Sequence, residues 1–187
     1  EMAPGTGCAV STVRGKAEKG AREVAQEEVR TGRTVCIVQA RMGSSRLPGK
    51  VLMDLCGAPV LARVIRRTKR ARTVDEVVVA TSVLARDDGI TELARAEGIR
   101  VFRGSEADVL SRYVGAAKMS GAEIVVRVTA DCPLVDPSII DRTVRSLRIS
   151  GYDFASVSAE GFDPETRSVR RTLLWTTSRR MPSLSSS

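Results

Sequence analysis

The sequence predicts an α/β domain: a mostly parallel β-sheet with helices on both faces. Three observations carry this expectation. Short aliphatic runs alternate with amphipathic segments from Thr34 to about Val157. The aliphatic runs read as unbroken by polar residues, as strands buried on both faces require. Gly, Pro and Asp fall at the joins, where they start and stop helices.

Taken in order, "TVCIV" (34–38) reads as a buried strand. "PVLARVIRRTKR" (59–70) reads as a helix, with Pro59 in its first turn and Val60, Leu61, Val64 and Ile65 on one face. "EVVVATS" (76–82) is a second strand. "DDGITELARAEG" (87–98) is a helix with an Asp cap and Gly98 as its stop. "IRVFRG" (99–104) is a third strand. "SEADVLSRYVGAAKMSG" (105–121) is a helix, with Ser105 and Asp108 at capping-box spacing and Gly121 at its end. "EIVVRVTAD" (123–131) is a fourth strand. "DPSIIDRTVRSLRIS" (136–150) is a helix capped by Asp136, with Pro137 at its first position. "YDFASVS" (152–158) is a fifth strand.

The flanks lack this pattern. Residues 1–33 are rich in Gly, Ala, Glu and Arg with no strong apolar period, and are expected to be a mobile extension. Residues 158–187 are rich in Arg, Ser and Thr, and weak order is expected there. The domain is therefore expected to span 34–157.

Composition narrows the function. The chain has 187 residues and a net charge of +8, which suits a polyanionic partner. Residues 34–157 carry 19 basic side chains against 14 acidic ones, so neither terminus is a basic arm. There is no histidine, which excludes Ser-His-Asp and Cys-His centres. Cys8, Cys36, Cys56 and Cys132 form no C-x-x-C pair, which argues against zinc. Scattered thiols, with no apolar run of membrane-spanning length, lead us to expect a cytoplasmic protein without membrane contact.

The chemistry concentrates in "QARMGSSRLPGK" (39–50), directly after the first strand. Parallel sheets bind ligands at the carboxyl ends of their strands. Arg41, Arg46 and Lys50 surround the small residues Gly43, Ser44 and Ser45. The loop is not a Walker A sequence, because Val51 stands where a magnesium-binding hydroxyl is needed, and it is not G-x-G-x-x-G. Backbone N–H groups at 43–45 could form an anion-binding concavity, and the three cations match a triphosphate. The plainer alternative is a solvated basic turn.

Asp131, at the end of the fourth strand, would face the same crevice. It is the natural magnesium ligand, since that ion takes one or two carboxylates plus substrate phosphates. Alternatively it caps the turn before Pro133. Asp136 reads as a helix cap only. The row Arg63, Arg66, Arg67 and Arg70 reads as a solvated helix face before it reads as a nucleic-acid patch. Cys132 lacks a base and reads as a packing residue.

"VQARMGSSRLPGKVL", "EVVVATSVLARDD", "VFRGSEADVLSRY" and "VVRVTADCPLVDP" together resemble the cytidylyltransferases that activate acidic sugars. The acylneuraminate and 3-deoxy-manno-octulosonate enzymes belong there, and the spore-coat-polysaccharide type is most similar. The resemblance covers roughly Thr34 to Val157. It implies a Rossmann-like nucleotide-diphospho-sugar transferase fold and magnesium-dependent transfer of CMP from CTP to a sugar, releasing pyrophosphate. By motif position, Arg41, Gly43, Ser45, Arg46 and Lys50 would bind the triphosphate. Ala40, Thr81 and Ser82 would lie near base and ribose. Asp131 would hold the metal, and Arg46, Lys50 and Asp131 would carry catalysis. A homodimer of the family kind is implied.

From about Ser158 the sequence departs from the family pattern. The sugar-binding and dimerisation segment and a second acidic metal ligand are not found. The expectation is thus a cytidylyltransferase domain whose C-terminal part is missing or divergent. The alternatives are a CTP-binding remnant without turnover and a basic nucleic-acid-binding protein.

Overall fold

A computed structural model of the chain describes residues 8–13, 32–44, 46–150, 153–159 and 175–178. Seven strands form one sheet: β1 (Cys8–Val13), β2 (Thr34–Gln39), β3 (Glu76–Ser82), β4 (Arg100–Gly104), β5 (Ile124–Thr129), β6 (Phe154–Ala159) and β7 (Trp175–Ser178). Their order is β1-β6-β7-β5-β2-β3-β4. β5, β2, β3 and β4 are mutually parallel. β7 runs antiparallel to both β5 and β6, and β1 antiparallel to β6. The expected parallel sheet is thus its four-stranded half, from β5 to the edge strand β4. Three antiparallel strands extend one side, two of them drawn from the flanking segments that carried no strand signal.

Four helices cover the sheet: α1 (Val60–Thr68), α2 (Asp88–Ala96), α3 (Val109–Ser120) and α4 (Pro137–Ser150). Side chains alternate between faces along a strand. Cys36, Val38, Val77, Val79, Val126 and Val128 therefore pack against Leu61, Val64 and Ile65 of α1, Ile90 and Ala94 of α2, and Ile140 and Val144 of α4. On the opposite face Val35, Ile37, Val78 and Ala80 meet, among the described helices, α3 alone, through Tyr113, Ala116 and Ala117. Gly115 permits this close approach: a Cβ there would lie 2.1 Å from the Phe102 ring.

The strands are not uniformly apolar, which corrects the sequence reading. In β5 the buried residues Ile124, Val126 and Val128 alternate with half-buried Val125, Arg127 and Thr129. α3 lies over β2, β3 and β4 and leaves this side of β5 more open.

Two caps also differ from expectation. Asp87 stands at the N-cap of α2, yet its carboxylate makes no cap bond. On α3 the cap is Asp108, not Ser105; Asp108 accepts the Ser111 N–H at 2.9 Å, while Ser105 accepts the Asp108 N–H at 3.3 Å. Asp108→Ala is expected to lower stability by about 1 kcal/mol, measured by urea melts of parent and variant. Asp136 does cap α4, accepting the Ser138 N–H at 2.8 Å. Gly98 and Gly121 end α2 and α3 in left-handed backbone, at φ of 70° and 65°. Among the described residues, no helix is long and apolar enough to cross a membrane.

Candidate functional site

The chain leaves β2 towards β3, on one side, and leaves β5 through α4 towards β6, on the other. The adjacent carboxyl ends of β2 and β5 are therefore a topological switch point, where open α/β sheets form ligand crevices. A cleft of about 340 Å³ opens there, lined by Gln39, Arg41, Ser44, Arg46, Lys50 and Val51 from the β2 side. Arg127, Thr129, Ala130 and Asp131 line it from β5.

The loop after β2 is held at both ends. Ala40 continues the ladder, its N–H donating to Ala80 O at 3.0 Å. The Met42 N–H donates to Asp87 Oδ1 at 2.8 Å. The Gly49 N–H returns to Met42 O at 3.1 Å, closing the loop. Gly49 has φ of 71°, which favours glycine and turns the chain into a short 3₁₀ helix, Lys50–Leu52. That helix buries Val51 and delivers Lys50 to the cleft. The Lys50 ammonium meets Asp131 Oδ2 at 2.6 Å.

Asp87 is 1% exposed, and its carboxylate ties the loop to β3. Oδ2 accepts the Ser82 N–H and the Thr81 hydroxyl, each at 3.2 Å, and the Ser82 hydroxyl as well. Burial pushes its pKa up, but the donors from Ser82, Met42 and Thr81 outweigh it and hold the carboxyl below the usual range.

Of the residues expected at the site, Arg41, Arg46, Lys50 and Asp131 do converge on the cleft. Ala40 is buried in the core. Gly43 sits behind the loop; a Cβ there would lie 3.2 Å from both Arg86 and Glu106, which form an ion pair. Thr81 and Ser82 are buried and give their hydroxyls to Asp87. Ser45 lies outside the described residues. The backbone concavity expected at 43–45 is not built from Ser44, whose N–H donates to Met42 O at 2.9 Å.

Sequence reasoning missed Gln39, Arg127, Thr129 and Tyr113. The Tyr113 hydroxyl donates to Gln39 Oε1 at 3.1 Å and accepts from Arg127 Nε at 3.0 Å. The Arg127 guanidinium also lies 5.5 Å from the centre of the Tyr113 ring. One signal was available: Arg127 is a charge inside an otherwise aliphatic strand. Cys132 stands beside this group, its Sγ 3.1 Å from Thr129 Oγ1.

The arginine row on α1 is largely engaged within the chain. Arg66 forms a two-pronged pair with Glu97, at 3.0 and 2.6 Å. Arg63 donates to the carbonyls of Leu55 and Cys56, and Arg67 to that of Val135.

The arrangement can hold an anion of triphosphate size between Arg41, Arg46 and Lys50. The described residues include no cluster of three or more His, Cys, Asp or Glu that could hold a metal unaided. Among the described residues, Asp131 is the one carboxylate lining the cleft. One carboxylate with substrate phosphate oxygens suffices for magnesium, so the donor set fits that ion.

The cytidylyltransferase family model matches residues 35–181. The spore coat polysaccharide biosynthesis protein SpsF of Bacillus subtilis is 37% identical over 125 residues, covering 65% of this chain and 52% of that protein. A cytidylyltransferase structure from Leptospira borgpetersenii superposes with a TM-score of 0.64 at 33% identity, over 78% of this chain and 60% of that one. A CMP:2-keto-3-deoxy-manno-octonic acid synthetase complexed with CTP superposes with a TM-score of 0.62. Its 20% identity makes that a likeness of fold alone. The chain spans about half the length of the curated relatives it matches.

Proposed function

The chain belongs to the cytidylyltransferase family, and from that premise we propose that its cleft binds CTP with magnesium and transfers CMP to a sugar, releasing pyrophosphate. The observation that carries the proposal is the meeting of Arg41, Arg46, Lys50 and Asp131 at the switch point between β2 and β5. Acidic sugars and their relatives are the proposed acceptors.

The reaction is a phosphoryl transfer, so it needs positioning and charge neutralisation more than covalent help. A hydroxyl oxygen of the sugar forms a new bond to the α-phosphorus. The bond from that phosphorus to the bridging oxygen breaks on the opposite side. Pyrophosphate leaves with the electron pair, and the hydroxyl proton passes to solvent. Arg46 and Lys50 line the cleft and would take up the charge that develops on the leaving group. Arg41, on the same loop, would grip the triphosphate from the β2 end. Asp131 would hold magnesium against the phosphate oxygens, where the ion supplies further neutralising charge. The Lys50–Asp131 pair keeps both groups aimed into the cleft.

The test is a thermal melt with CTP and magnesium. Ligand at about 100 times its dissociation constant should stabilise by roughly 2.7 kcal/mol, and ATP should not. No shift with CTP would remove the proposal. A second reading, nucleotide binding without turnover, is favoured by the single carboxylate that lines the cleft among the described residues. Binding without pyrophosphate release, across a panel of acidic sugars, would select it.

A further inference from the structure

A second groove, of about 430 Å³, adjoins the cleft through two shared loops. α1 lines it with Arg63, Arg66 and Arg67, and the turn after α1 adds Arg70. The segment after the Lys50–Leu52 helix contributes Leu55 and Cys56. The loop after Asp131 contributes Pro133 and Leu134, the latter 82% exposed. Apolar surface and a row of cations are thus joined in one groove.

The row is ordered. Residues three and four apart share a helix face, and the row runs about 10 Å at 1.5 Å per residue. Bonds within the chain hold it without exhausting it. Arg63 donates to the carbonyls of Leu55 and Cys56, and Arg67 to that of Val135 at 2.7 Å. A guanidinium carries five N–H donors, so most remain. The same bonds tie α1 to both loops, so the groove is formed before any partner arrives. Arg66 is the one member of the row in an ion pair, with Glu97, and Asp136 lies within reach of the Arg67 charge. Among the described residues Arg70 has no side-chain partner. None of the described side chains lining the groove is acidic or aromatic.

That composition selects the occupant. Two nearby carboxylates against four guanidiniums leave the groove positive, so it suits an anion. Nucleic acid would bring phosphates, but its bases would find no aromatic surface to stack on. A second copy of this chain carries the same net charge of +8 and would be repelled. An extended peptide rises about 3.3 Å per residue and turns alternate side chains to opposite sides. Three or four of its residues span the row. Acidic side chains then meet the arginines, and the apolar ones between them meet Leu55, Pro133 and Leu134.

We propose that this groove docks an extended segment of a partner protein in which acidic and apolar residues alternate. The partner then stands against the two loops that carry Lys50 and Asp131.

The probe is a fluorescent peptide, Glu-Leu-Glu-Leu-Glu-Leu-Glu, with a control of the same composition in block order. Anisotropy is read on the whole chain, Arg70→Glu, Leu134→Ser and Lys50→Ala. Arg70 and Leu134 are exposed, so both groove variants should melt with the parent in calorimetry. The parent should bind the alternating peptide about fivefold or more tighter than the block peptide. Arg70→Glu should weaken it about tenfold, and Leu134→Ser about threefold or more. Lys50→Ala should stay within about twofold of the parent. Equal binding of the two peptides, or both groove variants within about twofold of the parent, would overturn the proposal. So would a loss confined to Lys50→Ala, which would put the peptide in the cleft. An oligothymidylate bound more tightly than the peptide, through Arg70 but not Leu134, would make the groove a nucleic-acid patch instead. A dimer of the parent in sedimentation that Leu134→Ser disperses would give the groove to a second copy.

Discussion

Asp87→Ala should destabilise the protein by about 3 kcal/mol and abolish CTP binding together. The carboxylate is buried and accepts from the N–H groups of Met42 and Ser82 and from the hydroxyls of Thr81 and Ser82. Its removal strands four donors, and each buried donor left unmet costs about 1–3 kcal/mol before relaxation. The Met42 bond also anchors the loop that carries Arg41 and Arg46, so stability and binding should fall as one. Urea melts and CTP titration check this; a loss below about 1 kcal/mol with normal affinity would refute it. The same group predicts an acid response. Its folded pKa is depressed, so its contribution is complete above the unfolded carboxylate value of about 4. It is lost as pH falls through the lower folded value. The parent should weaken across that window more steeply than Asp87→Asn, in melts at successive pH values.

Lys50→Ala should do the reverse, sparing the fold and disabling the chemistry. The Lys50–Asp131 pair is partly solvated, with side-chain exposures of 30% and 23%, and such pairs contribute about 0–1 kcal/mol to stability. If Lys50 neutralises the leaving pyrophosphate, its loss should slow turnover by about a hundredfold or more. The melting temperature should stay within a few degrees. Pyrophosphate release under saturating CTP and calorimetry of the same sample give both readings. Turnover within about threefold of the parent would remove Lys50 from the reaction.

The two residues also mark what the sequence made legible. Lys50, Arg46, Arg41 and Asp131 were visible because they sit just past aliphatic strands, where a parallel sheet places its crevice. The central strands and all four helices followed from aliphatic runs and their punctuation. Asp87 was visible only as a cap, because an Asp before a helix looks the same whether its carboxylate turns to the helix or back to a loop. Thr81 and Ser82 were expected near base and ribose; the structure adds that their hydroxyls donate to that buried carboxylate. Tyr113 was hidden for a different reason: its partners lie on β2 and β5, and only the sheet order brings them together. β1 and β7 gave no strand signal because the flanks that hold them carry no strong apolar period, and each borrows its stability from neighbours already in place.

That borrowed stability has a kinetic side. Among the strands from Thr34 to Thr129 the most distant pairing sets Thr34 opposite Ile124. β1 instead meets β6 with Cys8 opposite Ala159, so this pairing joins segments from opposite ends of the chain. Closing so long a loop is entropically late, and non-local pairing slows folding. The parallel half and its cleft therefore assemble first, and the antiparallel flank zips on afterwards. A nascent chain would acquire the loop after β2 before its sheet is complete.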